Sequence, residues 1–373
     1  MFGKRKNKKV RKKPNTFVQV ANAFMTLIIL GIVIAGGLLY YGINQFNAAG
    51  PVKEETIFAV PQGAGVSTIA RKLEDEGLIT NSFIFRFGAV ALDKDTELKA
   101  GEFRIAADSS MREILTELSE GRAIQYNVTI PEGFTSWQIV ERLRAAELLT
   151  GEIENIPAEG TLLPNTYNFE RGATRQSVLD QMKEAHDEAL AEIWENRDEG
   201  LPIETPEELV ILASIVEKET GLAEERPEVA GVFINRLNRG MRLQSDPTII
   251  YGITKGEGTL GRGLKRSEID TKTDYNTYQI DGLPIGPIAN PGIESMKAVA
   301  NPAETDALYF VADGSGGHAF AKTYDEHRAN VAKWRQIEKE RQEAAEAAAE
   351  AEKEELQRQE AEKLDEKSSD SAE

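Results

Sequence analysis

No charged residue occurs between Pro14 and Val52, and this constrains the chain more than any other feature. Within that stretch, Ala21 to Tyr41 is a run of predominantly apolar residues, long enough as a helix to cross a hydrocarbon layer of about 30 Å. Just before it, Lys4, Arg5, Lys6, Lys8, Lys9, Arg11, Lys12 and Lys13 form a basic cluster. Basic residues beside a membrane span stay on the cytoplasmic side, so the expected topology is single-pass with the N-terminus inside. Tyr40 and Tyr41 suit the opposite interface. A cleaved signal peptide would have an apolar core of about 7–15 residues, shorter than this one, and an uncleaved anchor fits better. Whatever follows residue 45 is then outside the cytoplasm.

That topology gives the charge its meaning. The whole chain carries a formal net charge of −18 although eight basic residues stand at the very start, so the body is more acidic still. An acidic body excludes nucleic acid as the expected partner. There is no Cys, which removes disulfides and thiolate metal sites. His186, His318 and His327 are scattered, no His-x-x-x-His pair or Gly-rich phosphate loop occurs, and neither a metal nor another cofactor is expected.

Five stretches are expected: a basic cytoplasmic segment (1–20), a transmembrane helix (21–41), a small α+β module (53–125), a mixed α/β domain with long loops, the candidate catalytic domain for the reasons given below (126–333), and an acidic low-complexity tail (337–373). The fold class is therefore α+β behind a membrane anchor. Val60 to Leu73 and Ile130 to Leu143 resemble each other at an offset of 70 residues, with Pro61/Pro131, Gly63/Gly133, Ile69/Ile139 and Leu73/Leu143 coinciding. Each copy reads as a strand, a Pro-x-Gly turn and a helix. The second copy opens the catalytic domain. Leu98–Ile105 and Ile124–Ile130 read as strands, and Ser110–Leu118 as a capped helix. The small module resembles the LysM-like modules that bind cell-wall glycans, and a plain spacer is the competing reading. In the tail, Leu356 and Leu364 are nearly the only large apolar residues, so a solitary fraying helix ending in a disordered Ser-Ser-Asp-Ser stretch is expected.

Chemistry concentrates around Leu209–Thr220, an apolar run that ends in Glu217-Lys218-Glu219. Thr205 is the expected N-cap, Pro206 the first helical residue, Glu208 the closing member of a capping box, and Gly221 the C-cap. A carboxyl at the end of a buried helix tends to stay protonated, as a general acid must. Glu217 and Glu219 are about 200° apart around a helix and cannot face one glycosidic bond together, so a two-carboxylate glycosidase pair is excluded. Downstream, a long stretch with few helix or strand signals is rich in Gly, Pro, Asn, Thr and Tyr, the side chains a sugar groove uses. Gln244, Asp246, Tyr275, Asn276 and Tyr278 are the groove candidates. Leu308–Ala312 and His318–Ala321 read as a hairpin, with His318 a further substrate-contact candidate. Glu219 either orients the acid or is merely solvated.

Six ordered motifs carry a resemblance: Ala213-Ser-Ile-Val-Glu-Lys-Glu-Thr220, Val232-Phe-Ile-Asn-Arg-Leu237, Met241-Arg-Leu-Gln-Ser-Asp-Pro-Thr248, Tyr275-Asn-Thr-Tyr278, Gly282-Leu-Pro284 with Gly286-Pro287-Ile288, and Leu308–Ala312 with His318. Over about residues 55 to 332 the chain resembles the endolytic murein transglycosylase family of the MltG type. The resemblance implies cleavage of the MurNAc–GlcNAc β-1,4 bond within nascent peptidoglycan strands at the outer face of the cytoplasmic (inner) membrane, leaving 1,6-anhydro ends. It implies Glu217 as the single catalytic acid and cell-wall synthases as partners. The family's Pro-Asp-Thr-Tyr segment stands here as Pro164-Asn165-Thr166-Tyr167, so no ionised role is assigned there. The competing functions are a non-catalytic peptidoglycan-binding scaffold and a muramidase-type hydrolase.

Overall fold

The computed structural model describes residues 16–370, with side chains described from residue 17 to residue 353. The basic cluster at Lys4 to Lys13 and the last three residues lie outside the described residues. The chain forms two compact units, residues 1–126 and 127–373, in a mixed α+β architecture.

The first unit begins with α1 (Thr16–Asn47), apolar over Phe17–Asn47 at a mean hydropathy of 2.4, with its 18-residue apolar window unburied and only its end, at Phe46, packed into the unit. Its length and composition suffice to cross a membrane. Strand β1 (Thr56–Val60), helices α2 (Val66–Asp75) and α3 (Ser82–Ala91), strand β2 (Gly101–Ile105) and helix α4 (Met111–Glu120) follow. β1 and β2 pair antiparallel with Phe58 opposite Phe103, and both rings are fully buried with Phe85, Ile69, Leu73 and Leu118. The signals that start α4 are local. Ser110 accepts from the Glu113 backbone N–H, and the Glu113 carboxylate accepts from Ser110 N in return.

The second unit opens with β3 (Gln125–Thr129, which begins at the boundary) and α5 (Ser136–Arg144), capped by Thr135 and Gln138 as the sequence predicts. The repeated Pro-x-Gly turn takes one backbone form in both copies, with φ of 72° at Gly63 and 73° at Gly133. That left-handed conformation is open to Gly without a Cβ clash, which accounts for Gly at both positions. β4 (Thr166–Glu170) pairs with β3. Next come α6 (Arg175–Glu195), α7 (Pro206–Glu219), α8 (Arg226–Asn238), α9 (Asp246–Thr254), the short α10 (Arg266–Asp270), α11 (Ile293–Ala300), the β5 (Tyr309–Ala312) and β6 (His318–Ala321) hairpin, and α12 (Tyr324–Asp370).

Helix α7 is the centre of this unit. All eight residues from Leu209 to Val216 are buried, against α6, α8 and α11. Removing that much apolar surface from water is worth about 1.5–3 kcal/mol for each large side chain. Thr205 caps the helix from the Glu208 N–H as expected, but the Glu208 carboxylate accepts from Glu204 N rather than Thr205 N, so the reciprocal box does not form. The C-cap is Thr220 in an extended conformation, not Gly221.

Three further expectations change. Asp246-Pro247 begins a helix, α9, inside the stretch read as nearly free of elements. The short α10 also lies in that region, and α11 begins just past its end, with its inner side buried against α7. The tail helix starts at Tyr324, well before the expected Ile337. It packs on the hairpin, with Tyr309 and His327 stacked at 5.2 Å. It continues to Asp370, so Ser368 to Asp370 are helical where a disordered ending is predicted.

Candidate functional site

Successive residues on a helix point about 100° apart, and the end of α7 uses this to send three side chains to three places. Glu217 enters a closed network. Its Oε2 accepts from Ser295 Oγ at 2.6 Å and from Gly292 N at 3.0 Å, at the start of α11. Its Oε1 accepts from Arg226 at 3.1 Å, and Arg226 also donates to Glu132 at 2.8 Å. The Glu217 side chain is only 5% exposed and that of Arg226 only 9%. Lys218 turns towards Gly133, donating to its carbonyl at 3.3 Å.

Glu219 takes the third direction and keeps partial access to solvent. Its carboxyl accepts no well-formed hydrogen bond among the described residues. Ser245, Asp246, His318 and Arg236 surround it. Burial pushes the Glu219 carboxyl above the usual range. The Ser245 hydroxyl offsets this in part, the Asp246 charge adds to it, and His318 and Arg236 oppose it. Ser245 Oγ is buried and, among the described residues, has no partner that meets hydrogen-bond geometry. A buried hydroxyl left in this state beside a raised carboxyl is prepared for a ligand or for the carboxylate form.

The surrounding groups are held firmly. Arg236 donates from Nε to Leu308 O and from Nη1 to Leu243 O, both at 2.6 Å, so its guanidinium is fixed beneath the site. Tyr278 donates its hydroxyl to Asp246 Oδ1 at 2.7 Å. Burial raises the Tyr278 phenol far above the usual range, with Asp246 and Glu219 adding to the shift, so it stays a donor. Glu225 holds His318 at two points, its Oε1 accepting from the His318 backbone at 2.7 Å and its Oε2 lying 2.8 Å from the ring Nδ1. Burial works to raise the Glu225 carboxyl, but the His318 bonds outweigh it and hold it low. Thr277, fully buried, ties the two loops together by accepting from Ser245 N at 2.9 Å, with its hydroxyl 2.9 Å from that of Thr248.

A second raised carboxyl, Glu159, is built differently. Burial dominates its shift, but its Oε1 accepts from Ser136 N at 2.8 Å and Asn290 Nδ2 at 2.9 Å. Those bonds make it a tie between loops. A cleft of about 430 Å³, lined by Glu192, Asn196, Pro227 and Lys297 among others, contains none of the candidate residues. Among the described residues, no group of three or more His, Asp and Glu side chains is placed to hold a metal ion.

Residues 58–333 match the family described as YceG-like. The chain belongs to this family. An endolytic murein transglycosylase of Streptococcus pneumoniae is 32% identical over 360 residues, covering 82% of this chain and 64% of the relative. An endolytic murein transglycosylase of Bacillus subtilis is 28% identical over 327 residues, covering 79% of this chain and 89% of the relative. A 2.6 Å crystal structure of a putative yceG-like protein from Listeria monocytogenes aligns with a TM-score of 0.46 and 29% identity, covering 74% of this chain and 98% of that one. This chain therefore spans 64% of the length of the pneumococcal relative.

In this YceG-like chain the sequence candidates divide. Glu219, Asp246, Tyr278 and His318 come together, and Gln244, exposed and at a left-handed φ of 53°, sits one residue before Ser245. Tyr275 packs instead against Tyr251, with the rings tilted and their centroids 4.9 Å apart, with Lys255 over its ring and the Glu159 charge nearby. Asn276 is a correction. It is 1% exposed and its amide donates to the carbonyls of Glu268, Ile269 and Thr271, so it fastens its own loop and offers nothing to a sugar. Ser245, Arg236 and Glu225 escaped the sequence reading. A buried Arg and an unbonded Ser have no local signature, although both lie inside the quoted motifs.

The Glu217 network predicts a stability effect. Glu217→Gln keeps the shape but removes the charge that faces Arg226 and turns an amide towards the Ser295 and Gly292 donors. The loss should be about 2–3 kcal/mol, read as a shift in the urea unfolding midpoint at unchanged slope.

Proposed function

We propose that this chain is a membrane-anchored endolytic peptidoglycan lytic transglycosylase with Glu219, rather than Glu217, as its acid and base. The observation that carries this is the contrast between the two carboxyls. Three donors, Ser295 Oγ, Gly292 N and Arg226, hold the Glu217 carboxyl in place, which makes it a structural tie between α7, α8 and the start of α11. Glu219 is raised by burial and bordered by a phenol, a carboxylate, a hydroxyl and a buried guanidinium.

In this reading Glu219 donates its proton to the glycosidic oxygen as the bond from the MurNAc anomeric carbon breaks. The carboxylate so formed is stabilised by Ser245 Oγ and the Arg236 charge, which lie beside it. It then takes the proton from the 6-hydroxyl of the same sugar, whose oxygen attacks the anomeric carbon and closes the 1,6-anhydro ring. One proton leaves and one returns, and no water is consumed. An intramolecular nucleophile brings an entropic advantage over water. Asp246, Tyr278 and Gln244 are the sugar-binding groups, and His318, oriented by Glu225, is a further contact.

The names of the pneumococcal and Bacillus relatives support the substrate and the lyase outcome. The apolar α1 supports an anchor with the catalytic unit on the outer side of the cytoplasmic membrane. There nascent strands and the cell-wall synthases that make them are the natural substrate and partners, and the first unit is the LysM-like module. Incubating the full chain with uncrosslinked glycan strands and analysing the muropeptides by mass spectrometry tests the reaction. Anhydro ends are expected. Reducing ends would mean a hydrolase, and uncut strands a scaffold.

The raised carboxyl also sets the pH dependence. The free enzyme needs Glu219 protonated, so kcat/KM should fall as pH rises through its raised value, with a midpoint above about 4.3, the ordinary Glu value. A profile that rises across that range would contradict the assignment.

A further inference from the structure

Helix α3 is apolar on both sides. Phe85 and Ala89 face inward and are fully buried in the core of the first unit. Phe83, Phe87 and Val90 lie on the opposite side at helical spacing and are 65%, 59% and 55% exposed, and Leu92 follows just past the end. Arg86 lies on the same side with its guanidinium 5.5 Å from the Phe83 ring centroid. Several large apolar side chains in one stripe on a ten-residue helix call for an occupant.

The position of the stripe indicates which one. The end of α1 is fastened to the same unit. The Phe46 ring lies against Gly88 of α3, where a Cβ would overlap it. Arg112 of α4 donates to Asn47 Oδ1 at 2.5 Å and lies over the Phe46 ring. Gly50 N donates to Asp108 O at 3.1 Å, and Asp108 N to Val52 O at 2.7 Å. If Ala21 to Tyr41 fill the hydrocarbon layer, Phe46 stands five residues beyond its edge, about 7.5 Å along the helix axis. Headgroups occupy about 5–8 Å on each side of that layer. Gly88, in contact with Phe46, is therefore at headgroup depth, and α3 is held there by packing rather than by a linker.

We propose that α3 is an interfacial helix, with Phe83, Phe87, Val90 and Leu92 seated in the outer leaflet of the membrane that α1 crosses and Arg86 at the level of the lipid phosphates. An apolar face with a cation at its border is the composition that binds such a surface. The consequence is orientational. α1 and α3 together give the first unit two attachments to the bilayer and fix its tilt.

The proposal rests on α1 being a membrane span, and the test separates the two. The chain has no Cys, so single labels can be placed cleanly. Phe87→Cys and Ile32→Cys variants of the full chain are each labelled with an environment-sensitive fluorophore. They are reconstituted into vesicles of phosphatidylethanolamine and phosphatidylglycerol. The label at position 87 should lose at least about twofold in fluorescence with acyl-chain nitroxide lipids and be shielded from aqueous iodide, as expected for a face sunk to the acyl boundary. Iodide quenching at 87 without nitroxide quenching, while the label at 32 is lipid-quenched, overturns the proposal and leaves the anchor standing. Shielding from both quenchers, with self-quenching that disappears on dilution with lipid, assigns the face to a second copy and also overturns it. A label at 32 untouched by nitroxide lipids removes the anchor and the proposal with it.

Discussion

Glu219→Gln should fold, become more stable at neutral pH and lose at least about 10³-fold in the rate of anhydro-muropeptide release. The loss follows from one group serving as acid and base, where general acid–base catalysis alone contributes about 10²–10⁴-fold. The gain in stability follows from the sign of the shift. Burial raises the Glu219 carboxyl in the folded state. Between its unfolded and folded values the folded chain binds the proton more tightly, so stability present below the unfolded value is lost as pH rises through the folded one. At neutral pH, above the unfolded value, the wild-type chain bears a cost that a glutamine does not. Thermal melts at pH 7 should therefore rank the variant above the wild type. A variant that melts lower and remains active would remove both halves of the argument.

Asn290→Ala should produce the largest loss of stability among the site-region residues. The Asn290 side chain is completely buried. Its Oδ1 accepts from Leu162 N at 3.0 Å, and its amide donates to Phe134 O and Ser136 Oγ at 3.1 Å and to Glu159 at 2.9 Å. Its backbone N–H also donates to Phe134 O at 2.9 Å, while its carbonyl accepts from Gly133 N at 3.1 Å. One side chain thus joins the turn before α5, the loop at residues 159–162 and the strand-like approach to α11. Truncation strips buried Leu162 N and Glu159 of partners and leaves a void. The expected cost is about 3–5 kcal/mol, or on the order of 10 °C in Tm. Asn290→Asp should do no better, because it retains the acceptor, loses the donors and adds a charge beside Glu159. A change below about 1 kcal/mol in either variant would mean that water replaces the amide.

How much of this was legible in the sequence depended on range. The start of α7 was, because Thr205 and Pro206 act on their own helix. The repeated turn was, because a left-handed φ selects Gly locally. The stretch after α8 was not. α9 is short and begins with Asp-Pro, a pairing shared with turns, and α11 is an eight-residue helix whose stability comes from packing on α7. The Glu-Lys-Glu triplet shows the limit most clearly. Its position at the end of a buried helix pointed to chemistry, and the 200° spacing excluded a pair. What distinguishes the two acids is what each meets in space. Ser295 and Gly292 reach Glu217 from about 75 residues away, and Ser245 and His318 reach Glu219 from 26 and 99 residues away. No local pattern encodes those meetings. Asn276 failed for the same reason, since an amide suited to a hydroxyl is equally suited to carbonyls in its own loop.

The most direct test sets the two glutamates of the triplet against each other in one assay. Glu217→Gln and Glu219→Gln are incubated with uncrosslinked glycan strands at a temperature where circular dichroism shows both folded, and anhydro-muropeptides are counted by mass spectrometry. The expected result is that Glu217→Gln still releases anhydro ends, reduced at most modestly, while Glu219→Gln releases none. The opposite pattern, with Glu219→Gln active and Glu217→Gln silent though folded, would contradict the assignment and return the acid to Glu217.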